Sequence, residues 1–206
     1  MLKTTFRSAT ILALVALLCT ILSIMVFLLT KDRIQNAARE QQRQLLAQVI
    51  PTNYFDNALL NSCIVPDQQR YPLINEIYVA QKQGKVSAYA IKTITNQGYS
   101  GRIEILVGIS VEGKILGVRV LQHKETPGLG DKIETGKSNW IYTFNQQQFS
   151  VENQAQWAVK KDGGKFDQFA GATITPRAVV NAVKYTALAV INDFQQQPPM
   201  QFDHCK

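Results

Sequence analysis

From Ser8 to Thr30 the chain carries no charged side chain, and Ala9 to Leu29 is the apolar heart of that run. In a hydrocarbon phase every backbone N–H and C=O must find its partner within the segment, which leaves the α-helix as the conformation such a run adopts. At about 1.5 Å per residue the helix is long enough to cross a bilayer core of ~30 Å. It exceeds the length of a signal-peptide core, and Leu28-Leu29-Thr30-Lys31 is a poor cleavage site, so an uncleaved anchor is expected. No later segment stays apolar and uncharged for that length, which makes this the single expected span. Lys3 and Arg7 precede it and Lys31, Arg33, Arg39 and Arg43 follow it, so the charge bias alone does not decide its orientation.

Beyond the span, the remainder of the 206-residue chain is sized for one globular domain. Asp32 to Val49 places Ile34, Ala37, Ala38, Leu45, Leu46 and Val49 at helical spacing and ends at Ile50-Pro51, which predicts a juxtamembrane helix. Four β-branched runs follow: 76–80, 85–94, 102–109 and 114–121. Gln83-Gly84 and Glu112-Gly113 are short turns that make neighbours of them, so an antiparallel meander is expected. A helix from Pro176 to Phe194 packs on it through Val179, Val180, Val183, Ala187 and Val190, giving an α+β domain with a mostly antiparallel sheet.

Two stretches carry chemistry. In the first, Asp167-Gln-Phe-Ala-Gly-Ala-Thr-Ile-Thr175-Pro, a small-residue turn and two threonines meet the start of that last helix. Thr175 is a favoured N-cap type and Pro176 suits the first helical position. Free first-turn N–H groups and the positive end of the helix dipole favour an anion beside Thr175, with Gly171 and Ala172 leaving room for a phosphate. The second, His123-Lys-Glu-Thr-Pro-Gly-Leu-Gly130, is a turn that tolerates positive φ and leaves backbone amides uncovered, so it admits a planar ring.

The first stretch resembles the flavinylation motif of the G subunit of the Rnf (Rsx) electron transport complex and of the C subunit of the sodium-translocating NADH:quinone oxidoreductase. The second resembles the Glu-Thr-Pro-Gly-Leu-Gly loop of the same family, and similar flanking sequence runs from about Tyr71 to Lys184. The resemblance implies FMN joined by a phosphodiester to Thr175 through the action of a flavin transferase. The implied cofactor-binding set comprises Thr175, Thr173, Gly171, Ala172, Asp167 and Lys184, with Glu125, Thr126, Gly128 and Leu129 beside the isoalloxazine. Where the family has Ser or Thr before the motif's glycine, this chain has Ala170, and the acceptor threonine is intact. The family also implies a bacterial inner-membrane protein with residues 1–8 cytoplasmic, a transmembrane helix at 9–29 and a juxtamembrane helix at 30–50. A periplasmic FMN-binding domain at 51–195 and a C-terminal tail at 196–206 complete it. Its partners would be the other membrane and iron–sulfur subunits of the complex, the flavin transferase and the lipid bilayer.

Other chemistry is sparse. His123 and His204 are the only histidines, and neither stands in the Ser or Cys context of a nucleophile and base, so no conventional catalytic residue is expected. No His/Cys cluster has metal-ligand spacing. The net charge of +7 is spread without an aromatic-interleaved patch, which argues against nucleic acid. Lys160, Lys161 and Lys165 form the densest basic cluster, either a solvated loop or a phosphate contact. Cys63 and Cys205 bracket the domain and fit either a disulfide or two free thiols. The expected function is that of a membrane-anchored flavoprotein relaying electrons within an ion-translocating ferredoxin/NAD complex, a non-autonomous redox subunit. The competing reading is an anchored module that holds flavin non-covalently, or serves in assembly.

Overall fold

The computed structural model describes residues 2–195, 199 and 202–205. Its chain divides into two units, Met1–Arg43 and Gln44–Lys206. The first consists of the greater part of helix α1 (Leu2–Val49), with large apolar side chains such as Leu12, Leu18, Phe27 and Leu29 exposed along it. By length and composition it is a candidate membrane span. Within the apolar run, hydroxyls find partners locally: those of Thr20, Ser23 and Thr30 donate to the carbonyls of Ala16, Cys19 and Val26, each at 2.8 Å. The expected division between a span and a juxtamembrane helix is not marked by a break, because no glycine or proline interrupts the sequence before Pro51.

The second unit is built on a six-stranded sheet of β1 (Cys63–Val65), β2 (Ile74–Lys82), β3 (Lys85–Gly98), β4 (Gly101–Ser110), β5 (Ile115–Gln122) and β6 (Asp203–His204). The spatial order is β5-β4-β3-β2-β1-β6, every pairing antiparallel. The expected meander is therefore β2 to β5. Gln83 and Gly84 both take positive φ, 53° and 73°, the twist that a two-residue hairpin requires.

Period-two alternation sorts the strands onto two faces. Ile77, Val79, Tyr89, Ile91, Ile103, Ile105, Val107 and Ile109 face helix α2 (Ile174–Ala189), whose Val179, Val180, Val183 and Ala187 are wholly buried. The helix continues as one π turn, Val190–Phe194. Burial of the Tyr89 phenol in this core pushes its pKa up to about 12. Tyr78, Ala80, Ala88, Ala90, Leu106 and Leu116 point the other way and pack against Leu46, Val49 and Ile50 at the end of α1.

Between β5 and α2 the chain has little regular structure and is held by aromatic side chains. Phe144 stacks on Phe166 with ring centroids 4.4 Å apart, Trp157 packs edge-on against Phe149 at 5.3 Å, and Trp140 meets Phe169 at 5.2 Å. The Trp140 indole N–H donates to the Asp167 carbonyl at 2.7 Å. This cluster brings the loop after β5 and the turn before α2 to one side of the domain.

The expected tail is joined to the domain where it is described. Gln195 follows the π turn, and Asp203–His204 adds a short strand beside β1. Residues 196–198, 200, 201 and 206 lie outside the described residues. Cys205 is bonded to Cys63, with Cα atoms 5.4 Å apart; Cys19 is the free thiol. Of the two alternatives for the pair, the structure takes the disulfide. Accordingly, alkylation of the denatured, unreduced protein is expected to label one thiol per chain, and alkylation after reduction all three cysteines. Three labels before reduction would refute the bond.

Candidate functional site

Glu125 and Thr126 open the loop after β5, and the chain turns back at Gly128, where φ is +77°. The amides of Leu129 and Gly130 then both donate to the Thr126 carbonyl at 3.1 Å, closing the turn. Opposite this loop, Ala172 N donates to Phe169 O at 3.1 Å across a turn with Gly171 at φ +77°, the position where a type II turn needs glycine. Ala170 occupies an exposed corner of that turn and does not line the cleft.

Between the two loops lies a cleft of about 280 Å³, lined by Glu125, Thr126, Leu129, Gly130, Gly171, Ala172, Thr173, Ile174, Thr175 and Tyr99. Seven of the residues singled out in the sequence thus meet: Glu125, Thr126, Leu129, Gly171, Ala172, Thr173 and Thr175. Tyr99 was missed. It sits at the tip of the β3–β4 hairpin between Gly98 and Gly101, 70% exposed, in a stretch with no motif to mark it.

Three of the expected residues do not line the cleft. Gly128 shapes the loop from an exposed position. Asp167 presents its carboxylate to solvent and pairs with Lys160 at 2.6 Å. Lys184 lies nine residues beyond Thr175 on α2, which at ~100° per residue puts it on the opposite side of the helix, and ~13 Å along it. The basic cluster is likewise engaged elsewhere. Lys165 lies over the Trp157 ring at 4.4 Å and donates to Gln147 at 2.9 Å, and burial lowers its pKa. The bidentate bonds from Arg177, at 2.5 and 2.8 Å, hold the Asp162 carboxyl below its usual range. No lysine or arginine is among the cleft's lining residues.

Helix α2 begins two residues earlier than expected, at Ile174 rather than Pro176. Thr173 is its N-cap position and makes no side-chain cap bond, so Thr175 lies inside the first turn rather than capping it. Its hydroxyl turns instead toward the loop opposite. Thr175 is 1% exposed, and its Oγ1 donates to Oε2 of Glu125, itself a buried carboxylate. Oε1 of Glu125 accepts from the Ser100 amide at 3.0 Å. The Glu125 amide donates to Nδ1 of His123 at 3.0 Å, so the His123 proton resides on Nε2, which donates to Glu134 at 2.7 Å. Glycine is required where these groups crowd: a Cβ on Gly130 would stand 2.7 Å from Thr175 Oγ1 and 2.9 Å from Glu125 Oε2. On Gly98 it would stand 2.7 Å from Glu125 Oε1.

Chemically the cleft offers a buried alcohol on a carboxylate, the free amides of a helix's first turn, and a rim of exposed apolar groups in Tyr99, Leu129 and Ile174. Residues 98–187 match the FMN-binding domain family, and residues 1–49 match the RnfG N-terminal region. The chain is 55% identical over 191 residues to the G subunit of the ion-translocating oxidoreductase complex of Haemophilus influenzae, covering 93% of this chain and 92% of that one. It is 46% identical over 202 residues to the protein of the same description from Vibrio cholerae, covering 97% and 96%. Among solved structures, NqrC of Shewanella oneidensis is 25% identical with a TM-score of 0.45, covering 58% of this chain and 57% of that one.

Proposed function

The chain belongs to the G-subunit family of ion-translocating oxidoreductase complexes, and from that premise we propose that it is an electron carrier with FMN held covalently on Thr175. The observation that supports this reading most is the meeting of Thr175 with the Glu125–Gly130 loop across one cleft, although fifty residues separate Thr175 from Glu125. The residues present fit the group. Gly171 and Gly128 leave open space beside the cleft, where an added Cβ would meet nothing closer than 3.8 Å. First-turn amides of α2 would face a phosphate, and Leu129, Ile174 and Tyr99 would cover the faces of a planar ring. When bound, FMN supplies one- and two-electron exchange, and this chain's residues fix its place and exclude water from part of it.

The apolar helix would anchor the chain in a bacterial inner membrane, with the domain on the periplasmic side beside the membrane and iron–sulfur subunits of the complex. A tether suits that location, since a flavin lost from the domain would not be replaced there. A flavin transferase would make the attachment. Burial of Thr175 favours one second reading, a flavin held without a covalent bond. To separate the two, the full chain would be purified from its membranes, denatured and digested with trypsin. FMN on the peptide spanning residues 166–177, with fragment ions assigning it to Thr175, is the expected result. Flavin released entirely by denaturation would leave the non-covalent reading.

Tyr99 gives a second check. An aromatic side chain against a flavin quenches its emission, so Tyr99→Ala is expected to brighten the native, loaded protein several-fold while the amount of bound flavin stays unchanged. Equal emission from the two proteins would remove Tyr99 from the ring's surroundings.

A further inference from the structure

An aliphatic alcohol is a weak nucleophile near neutral pH and needs a base within hydrogen-bond reach to react with phosphorus. In this chain that reach is already closed. Thr175 Oγ1 donates directly to Glu125 Oε2, and no other ionisable side chain except Tyr99 lines the cleft among the described residues. Glu125 is fixed at two points: the Ser100 amide donates to Oε1, and the Glu125 amide donates to Nδ1 of His123. Gly130 lets the loop close over the pair without an intervening atom.

We propose that Glu125 is the general base of the chain's own flavinylation, a catalytic residue that resides in the acceptor rather than in the transferase. The inference rests on the reading of Thr175 as the attachment point. The donor class is a flavin dinucleotide, in which the FMN phosphate is joined through an anhydride to a second nucleotide. As Thr175 Oγ1 forms its bond to the FMN phosphorus, the anhydride P–O bond breaks and its electron pair leaves with the nucleoside monophosphate. The Oγ1 proton passes to Glu125 Oε2. No electron is gained or lost. Proton transfer has a second effect, because an ionised Glu125 beside the new phosphodiester would repel it, whereas the neutral acid does not. The carboxylate therefore activates the alcohol before transfer and ceases to oppose the product after it.

The test is the rate of covalent flavin incorporation, followed by intact mass, in the detergent-solubilised full chain with purified flavin transferase and flavin dinucleotide. Glu125→Gln keeps the shape and removes the basic site. It is expected to load at least a hundredfold more slowly than wild type, in line with the ~10²–10⁴ that general bases contribute. Relative to wild type, its residual rate should rise with pH in proportion to hydroxide. A purely structural role would not produce that pH dependence. Loading within threefold of wild type by a folded Glu125→Gln protein overturns the inference. If this variant melts below the assay temperature, Glu125→Asp decides instead, since it keeps the charge but withdraws the base by one methylene. A loss of tenfold or more supports the proposal, and a wild-type rate overturns it. A wild-type chain that takes up no label, or a Thr175→Ala chain that still does, refutes the attachment reading itself, whatever Glu125 does.

Discussion

Thr175→Ala is expected to abolish the fluorescent band that the flavin-loaded chain gives on a denaturing gel, with the loss complete rather than partial. A phosphodiester needs the Oγ1 oxygen, and the neighbouring hydroxyl is badly placed to replace it. Thr173 sits at the N-cap, two residues before Thr175, and makes no cap bond of its own, whereas the bond to Glu125 is made by Thr175. Thr173→Ala should therefore keep its band. Thr175→Ser should keep it too, weakened because serine's extra χ1 freedom loosens the bond to Glu125. The alanine variant should still fold. It strands one oxygen of a buried carboxylate, a loss of about 1–3 kcal/mol, which is a melting shift of ~2–4 °C per kcal/mol for a chain of this size. Gel fluorescence and a thermal melt on the same preparations separate loss of the acceptor from loss of the fold. A band that persisted in Thr175→Ala would mean another acceptor, and the electron-carrier reading would need a different anchor point.

How much of this site could be read from the sequence depends on which interactions are local. The four long strands, the buried stripe of α2 and the two site loops are written in periods of two and 3.6 and in turn residues, and each lies where the pattern put it. The Glu125–Thr175 bond is not written that way. Thr-Pro reads as an N-cap start, but the Thr175 hydroxyl has a stronger acceptor across the cleft, and the helix extends back to Ile174. For the lysines before the motif the sequence left a solvated loop or a phosphate contact open, because the partners of Lys165 and Lys160, the Trp157 ring and Asp167, are not marked by spacing. Tyr99 had no signal beyond its place between two glycines. The small residues at the sheet's second face had a signal that only the fold interprets: Ala90, Gly108 and Gly117 stand side by side on β3, β4 and β5.

Those small residues carry the other large expected effect. The row Tyr78–Ala90–Gly108–Gly117 crosses four strands, and the end of α1 lies directly on its glycines. A Cβ at Gly108 would fall 2.1 Å from the Val49 carbonyl oxygen and 2.7 Å from its carbon; at Gly117 it would fall 2.8 Å from the Val49 Cα. The obstacles are backbone atoms, so no rotamer change relieves them. Either the sheet shifts or residues 46–50 lift away, giving up the burial of Leu46, Val49 and Ile50, which are at most 3% exposed. Overpacking a core usually costs about 1–3 kcal/mol, and a contact this close with main chain on both sides belongs at or above the top of that range. Gly108→Ala is therefore expected to lower the melting temperature by ~6–12 °C or more, and to expose the 44–50 segment to protease. Gly136→Ala, where an added Cβ meets nothing within 4 Å, should melt with wild type. A Gly108→Ala protein as stable as Gly136→Ala would mean that Val49 does not rest on the sheet. Residues 44–50 would then be a free linker instead of a packed element of the domain.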